Sequence, residues 1–147
     1  MNKIITLAIL IVIVMAGVMA FIRLSPSDPA LWHIALTPRP ALIATPSPDI
    51  VTPLAMGGYI DLTSVEPAAL LAKLDGIALA SPRTTRLAGS AETGRITWVS
   101  RSLFWGFPDY TTAESTPQGV TVFARQRFGK GDWGANPARL TAWIDQL

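Results

Sequence analysis

A chain of 147 residues with no cysteine and a formal net charge of +2 has room for one domain and little more. The missing thiols exclude disulfides, thiolate metal sites, a cysteine nucleophile and a lipid-modified N-terminal cysteine. The charge excess is too small to argue for a nucleic-acid partner, and none is expected.

Residues 4–22, IITLAILIVIVMAGVMAFI, contain one polar side chain, Thr6, and no charge. As a helix rising about 1.5 Å per residue they span roughly 28 Å, close to the bilayer hydrocarbon thickness. Lys3 and Arg23 bracket the run. A cleaved signal peptide ending at Ala20 is the competing reading, since VMA at 18–20 supplies small residues. The apolar run is longer than the roughly 7–15 residues of a signal core, however, and continues through Phe21 and Ile22. The length therefore favours an uncleaved signal anchor over residues 1–24. The expected placement is single-pass in the inner (cytoplasmic) membrane, with the remainder in the periplasm or outside. Charge contributes little to that orientation, because Lys3 and the α-amine oppose Arg23 and Arg39.

Residues 25–60 form a proline-rich segment, with seven of the twelve prolines between 25 and 53. Proline fixes φ and disfavours helix in the residue before it, so this stretch is expected to be extended or kinked. A disordered tether would be polar. This one carries Leu31, Trp32, Ile34, Leu42, Ile43, Ile50 and Val51. Part of it is expected to wrap over the domain and part to space it from the membrane.

Residues 61–147 are assigned to an α+β domain. EPAALLAKLDG (66–76) reads as a short helix, with Pro67 at the first position and Gly76 as its stop. TTRLAGS (84–90), RITWVSRS (95–102), DYTTAES (109–115) and VTVFARQRF (120–128) read as strands joined into two hairpins by AETG and TPQG. The expected sheet is a four-stranded antiparallel meander packed by two short helices. The last helix is read with Asn136 as N-cap and Pro137 at the first position. Leu140, Trp143, Ile144 and Leu147 lie on one face of it.

Alternation along the strands puts Ile96, Trp98, Val120 and Val122 on one side of the sheet. It puts Arg101 on the other with Thr97 and Val99, and Arg125 and Arg127 there with Thr121 and Phe123. Seven arginines and one lysine face five acids from residue 82 onward. Arginine is the residue type suited to bidentate carboxylate and phosphate recognition. An ordinary solvated face with weak ion pairs is the structural alternative. LFWGFP (103–108) is either an apolar docking patch or a loop folded into the core, and a domain this small favours burial.

Gly129, Gly131 and Gly134 spell G-x-G-x-x-G between a strand and a helix. A dinucleotide site also needs a following parallel strand and an acid about 20 residues on, and only thirteen residues follow Gly134. The glycines instead read as a tight strand-to-helix turn. An anion could sit at the helix start near Arg127 and Arg139, or Asp132 could fill it from within. His33 is the single histidine, so hydrolytic triad chemistry would have to use it. Serines 90, 100 and 102 lack a G-x-S-x-G elbow. Neither a metal nor a cofactor is expected.

SDPALWH (27–33), SPRTTRLAGS (81–90), RITWVSRS (95–102), GFPDY (106–110) and RFGKGDWGANPARLTAWIDQL (127–147) together resemble the bacterial family called domain of unknown function 1499. The resemblance runs from about Asp28 to the end and implies small, membrane-associated proteins with no established activity. It implies a recurring motif of Arg83, Arg101, Asp109, Arg127, Gly129, Asp132, Gly134, Asn136 and Arg139. The leading expectation is a non-enzymatic binding or accessory module of the envelope. An anionic small molecule or lipid headgroup would meet Arg83, Arg101, Arg125, Arg127, Asp132, Asn136 and Arg139. An envelope protein docking on 103–108 is the alternative, and a hydrolase a distant third.

Overall fold

The computed structural model describes residues 2–43 and 45–147. Met1, in the expected anchor, and Ala44, in the proline-rich segment, lie outside the described residues. Helix α1 spans Lys3–Leu24. The Asn2 side chain accepts from the Ile4 N–H at its start. Its apolar surface is exposed along almost its whole length, and it is long and apolar enough to cross a membrane.

One sheet carries the domain. Its strands are β1 (Thr52–Leu54), β2 (Gly57–Thr63), β3 (Thr84–Ser90), β4 (Arg95–Arg101), β5 (Pro108–Thr116) and β6 (Gly119–Gln126). The order across it is β1-β2-β6-β5-β4-β3, every pair antiparallel. The expected four-strand meander is β3 to β6. The expectation of four strands is corrected to six, because β1 and β2 add a hairpin along β6. Pro53 is tolerated in β1 because that strand is at the sheet edge, where a missing N–H costs no ladder bond.

Helix α3 (Pro67–Ala80) leaves β2 and crosses the sheet to start β3 at the opposite edge, and α4 (Ala135–Ile144) packs back over β2 and β6. The predicted stop at Gly76 is overrun. Leu71, Leu74 and Ala78 form one buried stripe that continues past the glycine. Burial of that face outweighs the roughly 1 kcal/mol that glycine costs inside a helix. The core between helices and sheet joins Ile60, Leu62, Ile96, Trp98, Val120 and Val122 to Leu71, Leu74, Leu140 and Trp143.

The opposite face is also covered. Residues 25–43, including the short helix α2 (Pro29–Trp32), run across it as a strap. Leu36 and Ile43 bury against Tyr59 and Phe123 in a second, smaller core. The expected wrapping is therefore present, and it makes the fold three layers: helices, sheet, strap.

Candidate functional site

Antiparallel register stacks the strap-facing side chains in rows. Thr97, Thr112, Phe123 and Tyr59 form one row, and Val99, Tyr110 and Arg125 the next. The strap reads these rows in order. Trp32 stacks on Tyr110, with ring centroids 3.9 Å apart and planes 9° from parallel. His33 Nδ1 lies 2.9 Å from Thr97 Oγ1, which shares a proton with Thr112 Oγ1 at 2.9 Å. Thr112 donates onward to the Trp32 carbonyl, so the Thr97 proton points to Thr112 and the neutral imidazole carries its proton on Nδ1. Burial and the Arg95 charge lower the His33 pKa below 6.5. The Glu114 carboxylate accepts from the Leu36 N–H and from Arg95. Arg39 pairs with Asp61 at 3.0 Å.

Arg125 stands apart within this network. Its Nη2 donates to the Trp32 carbonyl at 2.7 Å and to Thr112 Oγ1 at 3.0 Å, while its Nε is buried without a partner among the described residues. The guanidinium sits 5.5 Å from the Trp32 ring and 5.1 Å from the Phe123 ring. Loss of solvent pulls its pKa down to about 10. No carboxylate among the described residues pairs with it.

A second grouping lies at the sheet end where β4, β6 and α1 finish. Arg83 Nε donates to the Arg101 carbonyl at 3.0 Å, and Arg101 Nη1 to the Gly106 carbonyl at 3.0 Å. Arg127 Nη1 donates to the Pro26 carbonyl at 2.8 Å, and Arg23 Nη2 to the Phe104 carbonyl at 2.7 Å. Phe21 of α1 meets Phe128 edge-on at 6.4 Å. Four guanidiniums thus line this end, and none is ion-paired to a carboxylate among the described residues. Aromatic side chains surround them. The favoured burial of LFWGFP is corrected: Leu103 is 75% exposed and Phe104 64%, with Trp105 and Phe107 half-buried. The strap, not this loop, supplies the second core, so the loop is left at the surface. Trp133 is fully exposed with φ 53°. A bulky residue in the left-handed region costs roughly 1–2 kcal/mol, and here no burial offsets it.

The glycine loop is closed from inside. Gly134, at φ 80°, is the residue that starts α4, which corrects the expected cap at Asn136. Glycine alone turns there without strain. Asp132 supplies the anion, accepting from the Gly134 N–H at 3.0 Å and the Asn136 N–H at 3.1 Å. Asn136 lies fully buried in the first turn, where its Oδ1 accepts from Arg139 Nη1 at 2.6 Å. Arg139 Nη2 reaches Asp109 at 3.1 Å. Asp132→Ala is expected to destabilise the fold by about 1 kcal/mol, the usual worth of a lost N-terminal cap. A urea unfolding midpoint lowered without a change in slope would show it.

The structure therefore separates the expected site residues into three places. Arg83, Arg101 and Arg127 line the sheet end beside α1. Arg125 lies beneath the strap. Asp132, Asn136 and Arg139 form, with Asp109, a closed network that packs α4 onto the sheet. Arg23, Trp32 and Trp133 were not expected there. The positive φ of Trp133 and the strap's path leave no local sequence signal. No group of three or more potential metal ligands occurs among the described residues, and His33 meets a threonine rather than a serine.

No curated protein and no solved structure matches the chain. The family match starts at residue 41, within the strap, and takes in Leu42 and Ile43. A family model described as protein of unknown function, DUF1499, matches residues 41–147, and the chain belongs to that family.

Proposed function

We propose that this protein is a non-enzymatic accessory module of the envelope, held by α1 in the cytoplasmic membrane with its domain on the periplasmic side. In this reading the domain rests its basic, aromatic end on anionic lipid headgroups. One observation carries it. Arg23, Arg83, Arg101 and Arg127 donate to backbone carbonyls, Arg127 also to the Tyr110 hydroxyl, pair with no carboxylate among the described residues, and line the sheet end where the membrane helix exits. Phosphate groups complement unpaired guanidiniums. Exposed Phe104 and Trp133 suit the headgroup layer, where amphipathic aromatic rings concentrate. Each basic group near an anionic surface contributes about 1 kcal/mol.

The test uses the full-length protein in nanodiscs carrying brominated lipids. Trp133 fluorescence is expected to be quenched when the lipid includes phosphatidylglycerol, and less so in pure phosphatidylcholine. Trp133→Phe should remove most of that lipid-dependent quenching and leave a remainder from half-buried Trp105 and Trp32, because Trp98 and Trp143 are buried in the core. If Trp133 is reached by aqueous acrylamide equally in both lipids, the headgroup reading is lost. The exposed Leu103 and Phe104 would then favour an envelope protein as the partner of this loop.

A further inference from the structure

Beneath the strap lies a pocket of about 560 Å³ that the membrane-facing reading does not use. Trp32, Ile34 and Leu42 of the strap form one wall, and Leu54, Met56 and Phe123 of the sheet the other. Arg125 is the one charged residue in the lining. Such a volume suits a small-molecule ligand, and apolar walls with a single charge suit an amphiphile.

A half-buried guanidinium with much of its solvent removed and no counter-charge is costly, and the usual remedy is a carboxylate partner. Four other arginines, Arg39, Arg86, Arg95 and Arg139, each hold an acid. At Arg125 there is none among the described residues. Two of its possible hydrogen bonds fix its orientation against Trp32 and Thr112, and its Nε remains unpartnered. A methionine of similar length would fill the same space against Trp32 and Phe123 without that cost. The ring contacts and the two hydrogen bonds hold the guanidinium in place but leave its charge without an anion, which a ligand in the pocket would supply. The strap enters from the end of α1, only a few residues from the membrane helix. An occupant drawn from the lipid phase would have a short path.

We propose that this pocket binds a single-chain amphiphile with an anionic head, the head on Arg125 and the chain between the strap and the β1–β2 hairpin. A long-chain fatty acid is its simplest member. The charge selects an anion over an alcohol or an ammonium. The apolar walls select a chain over a free carboxylate.

The experiment titrates carboxyl-¹³C dodecanoate into the full-length protein in phosphatidylcholine nanodiscs and follows the carboxyl resonance against pH. Lipid-dissolved dodecanoate gives one titration. The bound pool should give a second resonance that stays ionised to lower pH, because Arg125 stabilises the carboxylate. Arg125→Met should abolish that resonance or weaken binding at least tenfold, and Arg125→Lys should restore part of it. Referred to the free aqueous ligand, lengthening the chain from ten to twelve carbons should tighten binding about fourfold per methylene. Leu42→Trp, which fills the pocket and leaves Arg125 in place, should also remove the bound pool. Unchanged near-ultraviolet circular dichroism will show that each variant is folded. Dodecyl phosphate should compete, whereas acetate should not. The proposal is overturned if Arg125→Met binds like the parent, or if dodecanol or dodecyltrimethylammonium competes as well as dodecanoate. These variants leave Arg83, Arg101 and Arg127 intact, so a failure here is separable from a failure of the headgroup reading.

Discussion

Trp98→Ala is expected to cost about 3–5 kcal/mol of folding stability, the upper range for a core truncation. Trp98 is fully buried at the centre of β4 on the helix-facing side of the sheet. Its indole meets Trp143 of α4 edge-on at 5.6 Å, an arrangement that adds roughly 0.5–1.5 kcal/mol beyond area. Its Nε1 donates to Asp75 Oδ1 of α3 at 2.8 Å. One side chain therefore joins both helices to the sheet. A domain of this size has about 5–15 kcal/mol in total, so the alanine variant reaches the unfolding midpoint if the parent lies at the low end of that range and otherwise stays folded with a much reduced margin. Trp98→Phe separates the two contributions. It keeps most of the ring packing and loses the bond to Asp75, which still holds Arg86, so about 1–2 kcal/mol is expected. Urea titrations in detergent, followed by fluorescence, would rank the variants. An alanine variant within 1 kcal/mol of the parent would show that α3 and α4 do not depend on this contact.

The alternation that buries Trp98 was legible in the sequence, because period two is a local property of RITWVSRS. The four central strands follow for the same reason. The β1–β2 hairpin was obscured by its own composition. Pro53 and the Gly57–Gly58 pair read as punctuation, although Tyr59, Asp61 and Thr63 alternate with Ile60 and Leu62 as a strand should. Only placement beside β6 makes those glycines strand residues. An added Cβ on Gly57 would come within 2.0 Å of the Ala124 carbonyl. The strap was legible as apolar residues between prolines, but its destination was not. Which arginine keeps a free charge depends on contacts many tens of residues apart, such as Arg127 with Pro26 or Arg139 with Asp109. Residue type and strand face located the guanidiniums; pairing, which decides their role, is set by the tertiary fold.

Arg139→Ala illustrates that distinction and should cost about 3–5 kcal/mol at neutral pH, because it strands a buried carboxylate. Asp109 is largely buried. Burial raises its pKa, the Arg139 charge opposes that rise, and the nearby Asp132 charge adds to it. Removing Arg139 leaves the two raising influences opposed only by the Asn136 side chain. In the linkage relation, a carboxylate whose pKa is higher folded than unfolded binds more protons in the native state. Stability then falls as pH rises from the ordinary value of 3.8 through the raised one. The variant widens that window, so its deficit relative to the parent should be small near pH 4 and grow toward neutrality. A neutral pair, Asp109→Asn with Arg139→Gln, should recover part of the loss and flatten its pH dependence. Unfolding midpoints at pH 4, 5.5 and 7 for parent, single and double variants would read this out. A deficit independent of pH would mean that Arg139 acts by packing against Asn136 and not through Asp109. A variant as stable as the parent at pH 7 would return Arg139 to the pool of charges free for a ligand.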